Sequence, residues 1–157
     1  MEIIKATKKH IAEISRLLRQ VLDVHSQIRP DIFKKGTKKY TRKELKKIIW
    51  KNKSPIFLCV EGECVLGYCF CVINKVKDSN FLQDKKTLYI DDLCVDETCR
   101  GKGIGKALYA YVLEFAKNEG CDNITLNVWT GNDNAIAFYQ NLGFTPQKTY
   151  MESNIKG

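Results

Sequence analysis

The chain has 157 residues, 44% hydrophobic and 28% charged, which suits one soluble domain with a real core and argues against disorder. No apolar run approaches the roughly 20 residues of a membrane helix. Met1-Glu2-Ile3-Ile4-Lys5 lacks the apolar stretch of a signal peptide, so a cytoplasmic location with no membrane contact is expected. The net charge of +8 is uneven: residues 1–53 hold 16 Lys/Arg against 5 Asp/Glu, and the remainder 10 against 13.

A short strand is expected at residues 2–6, with Thr7 capping the helix that follows. Ile11, Ile14, Leu17, Leu18, Val21 and Leu22 recur at helical spacing and give that helix one apolar stripe. A looser segment from His25 to Gly36 is broken by Pro30. Thr41-Arg42-Lys43-Glu44 has the form of a capping box and opens a second helix through Leu45, Ile48, Ile49 and Trp50, finished by Pro55. Residues 56–60 and 64–73 are rich in β-branched and aromatic side chains, with Glu61-Gly62-Glu63 as a hairpin turn between them.

A polar stretch at 75–86 leads to a third apolar run at 87–95. A glycine-rich turn follows, then a helix over about 103–118 stopped by Gly120. Residues 121–129 read as a strand, 132–141 as a short helix ended by Gly143, and 147–155 as a last strand. No repeat or linker interrupts the chain. The expectation is a single α/β domain over residues 1–157, in the order β-α-α-β-β-β-α-β-α-β.

The seven cysteines (Cys59, Cys64, Cys69, Cys71, Cys94, Cys99 and Cys121) are odd in number and read as reduced thiols used as small core hydrophobes. Cys69-x-Cys71 sets two thiols on one strand face, but His10 and His25 are distant and no C-x-x-C pair occurs, so no metal is expected. A basic half suits nucleic acid or an acidic partner. Here Lys dominates and no aromatic-rich nucleic-acid motif accompanies it, so it reads as a solvated surface.

The strongest local signal is Arg100-Gly101-Lys102-Gly103-Ile104-Gly105-Lys106, between a strand and an amphipathic helix whose buried face is Leu108, Val112, Leu113 and Ala116. Glycines let backbone amides crowd around an anion, the helix start adds unpaired N–H donors, and three cations add full charge. This is a diphosphate cradle in physical terms. A Walker loop requires Ser or Thr after Gly105-Lys106, where Ala107 stands. A dinucleotide fingerprint requires different glycine spacing, early in the chain.

These residues resemble the GNAT superfamily of acetyl-CoA-dependent N-acetyltransferases, whose phosphate motif Arg/Gln-x-x-Gly-x-Gly/Ala is matched by Arg100 to Gly105. A second family pattern is met by Asn132-Asp133-Asn134-Ala135-Ile136-Ala137-Phe138-Tyr139-Gln140-Asn141-Leu142-Gly143-Phe144. The likeness is firm over about residues 88–144 and topological over 1–75. It implies a GNAT-like fold with a central mixed, mostly antiparallel, splayed sheet flanked by helices. Acetyl-CoA is then the donor and an amine the acceptor. The pantetheine arm would pair with the backbone of Leu93, Cys94 and Val95, and the diphosphate would lie on Arg100, Gly101, Lys102, Gly103, Ile104, Gly105 and Lys106. Asn132 would touch the cofactor arm, Phe138 would pack near it, and Tyr139 would protonate the departing thiolate.

Asp91 and Asp92 are two adjacent carboxylates on one strand, and strand alternation predicts that they face opposite ways. The stretch is similar to diamine acetyltransferases, which implies Asp91 as the water-linked base and Asp92 as the holder of a small cationic amine. Either residue is also suited to pairing with a Lys. Ribosomal-protein N-terminal acetyltransferases of the superfamily carry a catalytic Glu where this chain has Asn127, which counts against that class. Residues 24–36, with His25, Arg29, Asp31 and Phe33, and the 75–86 loop would set specificity. A homodimer is a family-level expectation. A non-catalytic acyl-CoA sensor, a protein N-acetyltransferase and a nucleic-acid-binding protein stay open as alternatives at this point.

Overall fold

The structure is a computed structural model describing residues 1–157 as two compact units, residues 1–127 and 128–157. The first holds a five-stranded sheet in the order β1-β2-β3-β4-β5: β1 Glu2–Lys5, β2 Ile56–Glu61, β3 Cys64–Val76, β4 Lys85–Val95 and β5 Asn123–Leu126. All neighbours are antiparallel except β4 and β5, which are parallel. No helix of the structure is long and apolar enough to cross a membrane.

Helices α1 (Ile11–Ile28) and α2 (Arg42–Lys51) cover one face of the sheet. The expected stripe of α1 is buried at Ile11, Ile14, Leu17, Leu18 and Leu22, against Leu58, Val60, Tyr68, Phe70 and Cys94. The Thr41 box forms as expected: the Glu44 N–H donates to Thr41 Oγ1 at 3.2 Å and the Thr41 N–H to Glu44 Oε2 at 2.7 Å. Helix α3 (Ile104–Asn118) covers the other face, packing Ile104, Leu108, Val112 and Ala116 on Phe57, Cys59, Cys69, Cys71, Leu88 and Ile90.

Four expectations are corrected. His25 is not in a loose segment: α1 runs on to Ile28, and His25 lies in its last turn, its carbonyl taken by the Arg29 N–H at 2.8 Å. The helix continues past residue 24 with Ser26 buried, its hydroxyl donating to the Asp23 carbonyl at 3.0 Å. The strand expected at 121–129 is only Asn123–Leu126, because its ladder to β4 ends there. Thr7 precedes a one-turn 3-10 helix, Lys8–His10, before α1 begins, and the His10 ring accepts its N–H at 3.0 Å. No strand forms at 147–155: the sheet has five strands, and Tyr150, Met151 and Ile155, the large apolar residues of that segment, are exposed and bury no face.

The second unit contains α4 (Asp133–Asn141), N-capped by Asn132, whose Oδ1 accepts the Ala135 N–H at 3.4 Å. Gly143 (φ +92°) ends it, and the Phe144 N–H returns to the Tyr139 carbonyl at 3.0 Å. The Tyr139 ring packs edge-on against Phe138 and Phe144.

Gly67 on β3 is the tightest point of the first unit. A Cβ there would lie 2.7 Å from the Cys94 carbonyl oxygen and 3.2–3.3 Å from Leu108 and Ile104 of α3. The missing side chain is what lets α3 start close to the sheet. Gly67→Ala is therefore expected to cost about 1–3 kcal/mol in denaturant unfolding. Gly62→Ala, in the β2–β3 turn with open space around it and φ +60°, should cost only about 1 kcal/mol.

Candidate active site

The site is built on β4. Its ladder with β3 pairs Phe70 with Asp92 and Cys71 with Ile90, so Asp91 is an extra residue, a β-bulge. A regular strand would turn Asp91 and Asp92 to opposite faces. The bulge cancels that alternation. Ile90 and Leu93 pack on the α3 side, while Asp91 and Asp92 both reach tyrosines on the α1–α2 side. The expected division of the two carboxylates between faces is thus corrected, and the cause is the unpaired residue.

Their surroundings nevertheless differ. Asp91 accepts a hydrogen bond from the Tyr40 hydroxyl and an ion pair from Lys39 Nζ at 3.1 Å; the same ammonium donates to the Asp91 carbonyl at 3.0 Å. Both partners come from residues 29–41, the segment between α1 and α2, so Asp91 is where that segment is fastened to the sheet. Asp92 has one side-chain donor, the hydroxyl of fully buried Tyr68 at 3.0 Å. Phe70 lies between the two tyrosines, stacked on Tyr40 (5.5 Å) and edge-on to Tyr68 (5.0 Å).

Asp92 is half-buried, yet desolvation dominates its titration and raises its pKa to about 6. Lys39 and the Tyr68 hydroxyl pull it down and the Asp91 charge pushes it up. Tyr68 and Tyr40 are both pushed well up, first by burial and then by the carboxylates, so both stay protonated donors. His25 is lowered by burial and by Lys39, so it is neutral at pH 7, with its ring 5.1 Å from Phe33.

Past Asp92, the β4 edge is open. The parallel ladder to β5 ends at Ile90↔Leu126, while β4 runs on to Val95 paired with β3 alone. The backbone of Leu93, Cys94 and Val95 is therefore unladdered on the β5 side. The Cys94 thiol points the other way, into the α1 core, 3.7 Å from the Leu17 carbonyl, and burial pushes it up to about 12. It is inert, and only its backbone faces the opening. Asn127, just beyond β5, donates from Nδ2 to the Tyr89 hydroxyl at 3.2 Å.

The glycine-rich turn follows. Gly101 (φ +78°) and Gly103 (φ +77°) take the left-handed conformation that favours glycine, with nothing within 4 Å of a would-be Cβ. The first bond of α3 is from the Ala107 N–H to the Gly103 carbonyl (3.0 Å), and no side chain caps the helix. The amides of Ile104, Gly105 and Lys106 are thus orphan donors. Arg100, Lys102 and Lys106 are exposed and take part in none of the chain's ion pairs. Glycine room, free amides and unpaired cations are the chemistry an anion site requires. The Cys69 and Cys71 sulfurs lie 3.8 Å apart inside the α3 core, and no group of three His, Cys, Asp or Glu is placed to hold a metal.

Sequence reasoning missed Tyr40, Tyr68 and Lys39, which decide what the two carboxylates can do. Tyr68 carried no signal of its own, since an aromatic on a core strand reads as packing.

Comparison with known proteins bears on the family and the fold. The model of the Acetyltransferase (GNAT) family matches residues 18–144. An uncharacterized N-acetyltransferase of Methanocaldococcus jannaschii is 31% identical over 107 residues, 68% of this chain and 46% of that protein. Thialysine N-epsilon-acetyltransferase of Bos taurus is 31% identical over 83 residues, 53% of this chain and 46% of its own length. The chain thus spans about half the length of the curated relatives it matches. A mutant protein of Bacillus halodurans, solved by crystallography, superposes with a TM-score of 0.95 at 34% identity, covering 99% of this chain and 100% of that one. An aminoglycoside N-acetyltransferase solved with CoA shares the fold at a TM-score of 0.71 and 17% identity, covering 99% and 100%.

The raised pKa of Asp92 has a thermodynamic signature. A carboxyl whose folded pKa lies above its unfolded value of about 3.9 adds stability below that pH and loses it as pH rises through about 6. The stability of Asp92→Asn relative to the parent should therefore climb between pH 4 and 7, by about 2–3 kcal/mol, and stay flat above. Chemical denaturation at a series of pH values measures it.

Proposed function

The chain belongs to the Acetyltransferase (GNAT) family, and on that premise we propose that it moves the acetyl group of acetyl-CoA to an amine by direct attack in a ternary complex. The observation that supports the reading best is the one run of β4, turn and α3. Along one backbone it carries a carboxylate tuned to about 6, a strand edge without a β5 partner and a glycine-rich turn whose amides and cations suit an anion.

Acetyl-CoA supplies the thioester when bound. The residues that would hold it are the backbone of Leu93, Cys94 and Val95 for the arm and residues 100–106 for the diphosphate, with Asn132 and Phe138 as further contacts implied by the family likeness. An amine is protonated in neutral water and must lose a proton to attack. We assign that proton to Asp92, directly or through a water, because a base near pKa 6 is ionised at pH 7 and still basic enough to act. Asp91, which the likeness to diamine acetyltransferases marks as the base, is already occupied by Lys39 and Tyr40. Its role is to hold the 29–41 segment beside Asp92. Tyr139 is the proposed donor of the proton that the departing sulfur takes up.

The expectation of a small cationic acceptor drew on two separate carboxylates. One is now spent on Lys39, and residues 29–42 bring six Lys/Arg against the single Asp31. We therefore propose an acceptor with one reacting amine and no further positive charge, such as an amino acid or amino sugar, over a polyamine. An acceptor panel scored by thiol release from acetyl-CoA should rank a monoamine above spermidine; the reverse order would restore the cationic reading.

In such an assay kcat/KM should rise with pH through a limb near 6. Asp92→Asn should lower it about 10²–10⁴-fold and abolish the limb. Tyr68→Phe, which removes the one side-chain donor to the ionised form, should move the limb to higher pH. Tyr139→Phe should lower kcat with little effect on CoA affinity. Tight CoA binding without turnover on any amine would instead support the sensor reading.

A further inference from the structure

The turn that starts the anion cradle is held from outside. Asp96 follows β4, is only 7% exposed, and donates its N–H to the Leu66 carbonyl at 2.8 Å. Its Oδ1 accepts both the N–H (3.0 Å) and the hydroxyl (2.9 Å) of Thr98, which shapes the one-turn 3-10 helix Glu97–Cys99 leading into Arg100. Its Oδ2 is taken by Arg16 Nη1, from α1, 80 residues earlier in the chain. Arg16 also reaches the Val65 carbonyl at 3.3 Å and Glu13 at 3.0 Å. One turn along α1, Gln20 Oε1 accepts the Glu97 N–H at 3.1 Å. Burial opposes ionisation of Asp96, but the Thr98 bonds and the Arg16 guanidinium hold its pKa down to about 2, so it carries full charge at neutral pH.

Two consequences follow from elementary electrostatics. Without Arg16, a buried carboxylate loses its countercharge four residues before Arg100, where it repels an arriving diphosphate. Without Arg16, the same carboxylate also loses the bond that fixes its second oxygen, and with it the pitch of the turn that aims the cradle amides. Neither effect touches the thioester or the acceptor.

We propose that Arg16 is a positioning residue for the diphosphate end of the donor: by engaging Asp96 it sets the turn that presents residues 100–106 and cancels the negative charge beside them. The inference rests on the acetyl-CoA reading of the cradle. It predicts a defect that depends on the donor having a diphosphate.

The test compares acetyl-CoA with acetyl-pantetheine, which lacks the diphosphate, in the wild type, Arg16→Gln, Arg16→Lys and Arg16→Gln/Asp96→Asn. Calorimetry with CoA and a thermal melt of each variant accompany the kinetics. Arg16→Gln should raise the KM for acetyl-CoA and the Kd for CoA about tenfold, with kcat within about twofold. Its kcat/KM with acetyl-pantetheine should match the wild type. Arg16→Lys should recover part of the affinity by charge, and the double variant part by removing the unpaired anion. Equal losses with both donors, or an unchanged Kd for CoA, would overturn the proposal. Should Arg16→Gln fail to fold, the same comparison on Arg16→Lys decides it. Wild-type protein that binds no CoA would refute the cradle reading itself, a different result from a variant that binds as the wild type does.

Discussion

Of the eleven residues of β4, ten have a partner on β3 and Asp91 has none. That single unpaired residue rotates everything after it. Without it, Asp92 would face the α3 core, Cys94 would follow it there, and Leu93 and Val95 would lie among the α1 side chains. With it, Asp92 meets Tyr68 and Asp91 meets Tyr40 on one face, and the apolar residues on both sides of the bulge still reach their own cores. The bulge also falls where the parallel ladder to β5 stops. The strand edge therefore opens at the point where the carboxylates begin, as bulges beside functional sites commonly arrange.

The two aspartates differ in their partners. Asp91 is satisfied by an ammonium and a phenol and fastens the segment that carries them. Asp92 has a single phenol as side-chain donor, and desolvation makes its ionised form costly, so its proton affinity rises. A folded chain that carries such a cost gives up stability, a trade the proposed role of Asp92 would account for. Helix α1 links the two ends of the site. Its Arg16 and Gln20 hold the turn before the cradle, and its last residues lead into the segment fastened to Asp91.

Much of this was legible in the sequence, for a physical reason. The glycine-rich turn is local: glycines, cations and a helix start lie within seven residues, so its backbone form does not depend on what packs nearby. The capping box at Thr41 and the stripe of α1 are local as well. The bulge was not legible, because Asp91-Asp92 reads as ordinary alternation until the partner strand is known. Nor was the occupation of Asp91, since Lys39 and Tyr40 lie about fifty residues away in a stretch that looks like solvated surface. The length of β5 depended on where its ladder to β4 ends, and the end of α1 on whether Ser26 is buried. The roles of Asn132, Phe138 and Tyr139 come from the family likeness alone.

The account stands or falls on the state of one carboxyl group. Carboxyl-carbon NMR of aspartate-labelled protein, titrated from pH 3 to 8 and assigned by the loss of one resonance in Asp92→Asn, measures it directly. The account predicts that Asp92 titrates near 6. A midpoint near 4, the value of a solvated aspartate, would contradict the enclosed, same-face geometry and leave the proposed base without its basis.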